Sequence, residues 1–121
     1  MVKNETKFWR EIKKSTPNIS WTRIENTSLL GTPDLLGYNK KGHFFTVELK
    51  VTKSNRVTFS PHQISFHVKH PNNSFILTKS LVAGYMKLYE GKKILELVAR
   101  GLQLDACCEG LEACRLRLES I

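Results

Sequence analysis

The chain has 121 residues, of which 40% are hydrophobic and 25% charged, as expected for one soluble globular domain. Its net charge of +8 and pI near 9.6 indicate a polyanionic partner such as nucleic acid, with solubility as the plain alternative. No apolar run approaches the ~20 residues of a membrane span, and the first residues lack an apolar leader. We therefore expect no membrane partner and an intracellular location.

The first predicted element is a helix that is capped by Asn4 and runs to about Lys14. Its apolar face consists of Phe8, Trp9 and Ile12. At about 100° per residue, Glu5 falls in the middle of that face. An inward-facing glutamate needs a partner because burying an unpaired charge is costly. The alternative is that Glu5 only completes the N-terminal cap and offsets the helix dipole.

A strand is predicted over 19–25, because Ile19 and Trp21 alternate with polar neighbours. The loop that follows, 26–32, contains several small polar residues. The small polar residues of such a loop either contact phosphates or simply stabilise a turn.

The segments 31–38 and 44–51 are β-prone and predict a hairpin folded about Lys41. In that register Asp34 faces Glu48, with Cβ atoms roughly 5 Å apart. Glu48 and Lys50 share one face of the second strand, and the opposite face consists of Phe45, Val47 and Leu49. A bulge at the hairpin's glycine, Gly42, would shift this pairing by one residue.

The next predicted helix follows a basic segment, 52–56, and begins with strong signals. Ser60 is its cap, Pro61 its first residue and Gln63 the third residue of a capping box. The helix should end near His70. The remaining predicted elements are a buried strand at 74–78, a strand at 85–89 and a short helix at 94–100.

The tail, residues 104–118, is amphipathic and predicts a helix that packs on the core or supplies a dimer contact. The tail contains all three cysteines of the chain: Cys107, Cys108 and Cys114. Their spacing matches no zinc pattern, so we expect buried free thiols on a helix. Residues 101–121 have a net charge of −2, which leaves +10 on the first hundred residues.

The acids and the lysine of the hairpin suggest metal chemistry. Two carboxylates that face each other repel unless a cation lies between them, and hard oxygen ligands without histidine or thiolate favour Mg²⁺ or Mn²⁺ over zinc. A bound ion of this kind activates water and polarises a phosphate. Lys50 would position or deprotonate the water, or neutralise developing charge. The alternative is an ordinary surface cluster of Asp34, Glu48 and Lys50.

The motif Gly31, Thr32, Pro33, Asp34, then Glu48, Leu49, Lys50, then Gln63 in the following helix resembles the PD-(D/E)XK nuclease superfamily. The likeness covers residues 5 to about 78 and implies a restriction-endonuclease-like α/β fold. That fold has an α-β-β-β-α-β core (about 5–80) with a central mixed sheet flanked by helices. A C-terminal helical extension (about 92–120) would complete a single nuclease domain. The motif is most similar to VRR-NUC nucleases and archaeal-type Holliday-junction resolvases, and 21–26 also resembles small phage nucleases. The likeness implies a location in the cytoplasm or nucleoid of a bacterial or archaeal host.

The resemblance implies that Asp34 and Glu48 bind Mg²⁺, for which Mn²⁺ would substitute, with the Leu49 carbonyl as a further ligand. Glu5 would be an additional acidic ligand, direct or through water, with Glu25 as a second candidate for that role.

Lys50 would be the catalytic lysine, and Asp34 and Glu48 would be the catalytic carboxylates. Gln63 would orient water or phosphate near the site, although its capping-box role explains it about as well. The expected DNA contacts come from the loop before the hairpin and the basic segment after it. They are Arg23, Ser28, Thr32, Lys53 and Arg56.

The resulting prediction is a magnesium-dependent DNA endonuclease that leaves a 5′-phosphate, with a Holliday junction cut by a homodimer as the preferred substrate. The expected dimer interface is the helix around Phe66 together with the C-terminal helix. A flap or restriction-type nuclease comes next, followed by a DNA-binding module without catalysis. A protein whose tail recruits a partner is a further alternative.

Overall fold

In the computed structural model of the protein, the described residues are 2–24 and 31–121. The helices are α1 (Val2–Ser15), α2 (Pro61–Lys69), α3 (Ile94–Arg100) and α4 (Leu111–Glu119). The strands are β1 (Ser20–Arg23), β2 (Leu35–Tyr38), β3 (Phe44–Thr52), β4 (Ser74–Ser80), β5 (Met86–Glu90) and β6 (Cys108–Glu109).

Six strands form one mixed sheet in chain order, from β1 at one edge to β6 at the other. Only β3 and β4 are parallel, because α2 lies between them in the chain and serves as their crossover. The other neighbouring pairs are antiparallel. This mixed sheet flanked by helices confirms the predicted fold class.

The two faces of the sheet bury separate cores. The larger core joins α1 and α4 to one face, and its members include Phe8, Ile12, Val47, Leu77 and Leu118. The second core joins α3 to the opposite face through Ile76, Tyr89, Ile94 and Leu97. Strand alternation produces this division, because successive residues of β3 and β4 point to opposite faces.

The hairpin has the predicted register. Leu35 pairs with Val47 and Tyr38 with Phe44, so the turn is centred on Lys41. Gly42 has a φ of 82°, a backbone conformation that glycine adopts without strain, and it introduces no shift. The predicted faces of β3 are also confirmed, since Phe45, Val47 and Leu49 all lie in the larger core.

Two boundaries near the N-terminus differ from expectation. The first helix begins at Val2, so Asn4 lies inside its first turn instead of capping it. Asn4 is a polar residue of the type that caps helices, so the sequence alone does not distinguish a cap at this position from a place inside the first turn. The first strand spans Ser20–Arg23, shorter than the predicted 19–25, and Glu25 lies outside the described residues.

The tail is not one continuous helix over 104–118. A C-terminal helix is present, but it begins only at Leu111. Before it, Cys107 N–H donates to the Leu88 carbonyl and Gly110 N–H to the Met86 carbonyl, at 2.9 and 2.8 Å. Backbone groups at the open edge of β5 take these partners, and this pairing overrides the helical pattern of the tail.

The prediction of buried helical thiols is therefore wrong for two of the three cysteines. Cys107 is exposed and Cys108 is half-buried in β6, whereas Cys114 is buried on α4. All three are free thiols. No helix within residues 2–24 and 31–121 has the length and apolar character needed to cross a bilayer.

Candidate active site

The topology of the sheet brings the predicted acids together at one end. β3 runs toward this end and β2 runs away from it, so the residue before β2 lies beside the second half of β3. Oδ2 of Asp34 accepts a hydrogen bond of 2.8 Å from the Leu49 backbone N–H. This contact continues the hairpin register by one residue and places Asp34 opposite Glu48.

Glu48 is the most unusual residue of the site because its carboxyl group is buried, with only 3% of the residue exposed. Oε2 accepts a hydrogen bond of 3.1 Å from Nε2 of Gln63. Oε1 is buried and has no hydrogen-bond partner in the described part of the chain. Burial, followed by the charge of Asp34, raises the pKa of Glu48 from 4.5 to about 9.

The ionised form of Glu48 is the unfavourable one in this environment. Protonated Glu48 can donate a hydrogen bond to the neighbouring Asp34 carboxylate, and this contact is a further cause of the raised pKa. When both groups are ionised, Glu48 Oε1 lacks a partner beside a second negative charge. A cation between the two carboxylates would remove both penalties.

Lys50 and Gln63 complete this side of the site. Nζ of Lys50 donates to Oε1 of Gln63 at 3.1 Å and lies 4.8 Å from the ring centre of Phe59. The same Oε1 accepts from Ser60 N–H at 3.0 Å, and Ser60 Oγ accepts from Gln63 N–H at 3.1 Å. Gln63 therefore forms the predicted capping box and contacts the acidic site at the same time.

The capping box also sets the orientation of the Gln63 side-chain amide. Its oxygen accepts from two donors, Ser60 N–H and Lys50 Nζ, so its nitrogen must face Glu48. Sequence reasoning identified both roles of Gln63 but not their connection. Phe59 was missed altogether, because an aromatic residue in a loop has no distinguishing pattern.

Glu5 faces the sheet as predicted, half-buried on α1. Desolvation by burial raises its pKa, with a further contribution from the charge of Asp34. A cavity of about 30 Å³, large enough for a water molecule, has Glu5 and Asp34 in its lining. The other lining residues are Trp9, Arg23, Leu35 and Leu49.

Glu5, Asp34 and Glu48 do not form a preorganised set of three metal ligands. Across residues 2–24 and 31–121, no group of three or more His, Cys, Asp and Glu side chains is placed to hold a metal ion. The donors present are Asp34, the unpaired Oε1 of Glu48 and the Leu49 carbonyl. The Leu49 carbonyl lies on the same side of β3 as its N–H, which faces Asp34. Mg²⁺ prefers hard oxygen donors of this kind, so the chemistry of these three donors would suit it, and water would complete its ligands.

The residues predicted to contact DNA differ in their location and exposure. Arg23 ends β1 and lines the small cavity, and Thr32 is half-buried in the approach to Asp34. Lys53 and Arg56 are exposed in the segment after β3. Ser28, like the alternative acid Glu25, lies in 25–30, outside the described residues.

Comparison with known proteins shows similarity at the level of fold. No protein-family model and no curated protein matches the chain. Among solved structures, the chain is similar to Hjc, a Holliday junction resolvase from the archaeal hyperthermophile Archaeoglobus fulgidus. The TM-score is 0.58 at 14% sequence identity, and the match covers 74% of each chain. At this identity the likeness shows a shared fold. That fold agrees with the expected restriction-endonuclease-like architecture, and the match does not extend to the VRR-NUC group or to a phage origin.

Proposed function

We propose that this protein is a metal-dependent DNA endonuclease that hydrolyses phosphodiester bonds. The observation that supports this most directly is Glu48, a buried carboxylate with an unpaired oxygen beside Asp34. Such a pair is costly in a purely structural role, because two facing acids destabilise the ionised protein. The fold shared with Hjc and the net charge of +8 are consistent with DNA as the substrate.

Asp34, Glu48 and the Leu49 carbonyl would hold Mg²⁺, and Glu5 would contact it through water. A bound divalent cation supplies charge neutralisation at the scissile phosphate and a more acidic water. Mn²⁺ shares this preference for oxygen ligands and should substitute.

The other proposed roles are those of the protein's own side chains. Lys50 is held by Gln63 near the two carboxylates, where its ammonium group would neutralise the charge that develops on the phosphate. Gln63 holds Glu48 through its amide nitrogen and so positions both groups at once. The exposed Lys53 and Arg56 would bind the DNA backbone without reading its sequence.

Branched DNA is the substrate that we propose first. Among branched DNAs we favour the Holliday junction, which is the substrate named for Hjc. A homodimer would present two sites to two strands by two-fold symmetry. The proposed interface includes α2, where Phe66 stacks on His70 with ring centres 4.3 Å apart and Val68 is exposed. The C-terminal helix α4 is the second proposed interface element. A flap or restriction-type nuclease is the alternative within the same chemistry.

A cleavage panel tests the proposal. Four-way junction, flap, linear duplex and single-stranded DNA of matched length are incubated with the protein in Mg²⁺. We expect cleavage of the junction, none in EDTA, and none by Glu48→Ala. Glu96→Ala is the matched control, because Glu96 is an exposed acid on α3. If Glu48→Ala cleaves as well as wild type, the proposed active site is wrong. If every DNA survives in Mg²⁺ and Mn²⁺, a DNA-binding module without catalysis is the better description.

A further inference from the structure

The turn between β4 and β5, residues 81–85, exposes apolar side chains and is called the hairpin tip below. Val82 is 80% exposed, Leu81 42% and Tyr85 45%. Residues 83 and 84 are the small Ala83 and Gly84, so the larger side chains stand clear of the turn. Turns of this kind usually present polar residues to water, which makes an apolar tip an indication of contact with a partner.

Hydrogen bonds within the turn support the conformation of the hairpin tip. Gly84 N–H donates to the Ser80 carbonyl at 2.8 Å, and Ala83 N–H to Ser80 Oγ at 3.0 Å. Ser80 N–H donates to the Tyr85 carbonyl at 3.1 Å. A tip that is ordered before binding loses little conformational entropy when it inserts into a partner.

The hairpin tip lies at the same end of the sheet as the candidate active site. Leu81 N–H donates to the Thr52 carbonyl at 2.9 Å, and Thr52 is two residues after Lys50 on β3. Two residues of extended strand span about 7 Å. A nucleic acid whose backbone reaches Lys50 would therefore also reach the tip.

Basic side chains flank the hairpin tip on both sides. On one side, Lys53 shares the lining of a shallow pocket of about 260 Å³ with Val82 and Tyr85. On the other side, Lys7 and Lys79 line a pocket of about 150 Å³ that includes Leu81.

Among the described residues that line these two pockets, Glu11 is the one acid, and it is paired with Lys79 at 2.6 Å. Lys53 and Lys7 therefore supply the positive charge of the two sides. Lys87 Nζ lies 5.4 Å from the ring centre of Tyr85. An apolar ridge between positive flanks complements nucleic acid, which has apolar bases between two phosphate backbones.

We propose that the hairpin tip is a wedge that inserts Val82 and Leu81 between bases at an opened step of the bound DNA. Its target is branched DNA, whose bases at the branch point are already partly unstacked. Apolar side chains that wedge between base steps incur an unstacking cost of a few kcal/mol, and this cost is lowest where stacking is already broken. The tip thereby favours branched DNA over continuous duplex. This inference rests on the proposed function for the identity of the substrate.

The test compares Val82→Ser with Val98→Ser, a matched removal of an exposed valine on α3 (41% exposed), outside the proposed site and dimer interface. Binding to a four-way junction and to a linear duplex of the same length is measured in EDTA at one salt concentration. We expect Val82→Ser to weaken junction binding about tenfold, as the loss of one buried valine contact does. Duplex binding should stay within about twofold, and Val98→Ser should match wild type on both DNAs.

A fluorescent adenine analogue at the branch point provides a second measurement, because its emission rises when the base unstacks. The rise should occur with wild type and Val98→Ser and be reduced with Val82→Ser. Unchanged junction binding by Val82→Ser, an equal loss on both DNAs, or no preference of wild type for the junction would each overturn the wedge. Tip-dependent junction binding without cleavage in Mg²⁺ would instead refute the nuclease and leave the wedge standing.

Discussion

Gln63 and Glu48 are joined by one hydrogen bond of 3.1 Å, from the side-chain amide nitrogen of Gln63 to Oε2 of Glu48. Gln63 is the third residue of α2, and Glu48 lies in the middle of β3. The start of the crossover helix is thus connected directly to a buried acid of the sheet. Removing the donor would leave a second buried oxygen of Glu48 without a partner.

Replacing Glu48 with glutamine should change how stability depends on pH. The pKa of Glu48 is raised from 4.5 to about 9, so its stabilising contribution is complete below pH 4.5 and is lost as pH rises toward 9. Between pH 4.5 and 7 the metal-free protein should lose on the order of 3 kcal/mol from this group. Urea unfolding in EDTA should show this slope in wild type and a much smaller one in Glu48→Gln. Glu96→Gln should keep the wild-type slope, and a parallel profile for Glu48→Gln would contradict the assignment.

Divalent cations should stabilise the folded protein through Asp34 and Glu48. At a Mg²⁺ concentration 100 times the Kd, the free energy of unfolding should rise by about 2.7 kcal/mol. Asp34→Asn should abolish most of this gain, because it removes one of the two charged ligands. Asp105→Asn, a change of an exposed acid, should retain it. Thermal unfolding with and without Mg²⁺ measures the effect, and an equal gain in Asp34→Asn would place the ion elsewhere.

Gln63→Glu should separate the capping role of Gln63 from its role in the site. Glutamate at this position still accepts from Ser60 N–H, so α2 should keep its capping box. The new carboxylate cannot donate to Glu48 and adds a third negative charge beside it. We expect single-turnover cleavage to fall about 10- to 100-fold, as for other residues that orient metal ligands.

The control for Gln63→Glu is Ser60→Ala, which removes the Ser60 Oγ contact with Gln63 N–H. It should cost about 1 kcal/mol of stability and leave cleavage by the folded protein within a few-fold. If Ser60→Ala and Gln63→Glu reduce cleavage equally, the cap itself is what the site requires.

Lys50 and Lys53 should differ in which kinetic quantity they control. Lys50→Met keeps the length of the side chain and removes its charge next to the reacting phosphate. Its single-turnover rate at saturating protein should fall about 10²- to 10³-fold. Lys53→Met should weaken DNA binding and reduce its salt dependence, with the saturated rate near that of wild type. Equal rate losses in the two variants would remove the distinction between catalytic and binding lysines.

Gly91→Ala should destabilise the fold through an overlap that lies outside the candidate active site. A Cβ at Gly91 would lie 2.3 Å from Ser74 Oγ and 2.7 Å from Cδ2 of the buried His67. Relieving this overlap requires movement of α2 against β4, at a cost of about 1–3 kcal/mol. Urea unfolding measures the change. Ala83→Ser, on the exposed hairpin tip, is the neutral control, and an unchanged Gly91→Ala would mean that the contact relaxes freely.

Local sequence was sufficient to predict much of the candidate site. Asp34, Glu48 and Lys50 belong to one hairpin, so strand alternation and a turn of known centre determine their relative positions. Gln63 could be predicted as part of a capping box for the same reason, because its Ser60 partner is three residues away. These contacts depend on neighbours in the chain and leave few alternatives.

Contacts between distant segments were decided by the tertiary structure alone. The tail pairs with the open edge of β5 instead of extending as a helix, because unpaired strand groups outweigh helical propensity there. The unpaired oxygen of Glu48 arises only once β3 is covered, and the hairpin tip lies at the same end of the sheet as the site only because β3 and β4 are parallel. The sequence by itself determined which residues have metal-binding chemistry and how the hairpin aligns them. Packing decided how deeply Glu48 is buried and which surfaces surround the site, because burial depends on residues far apart in the chain.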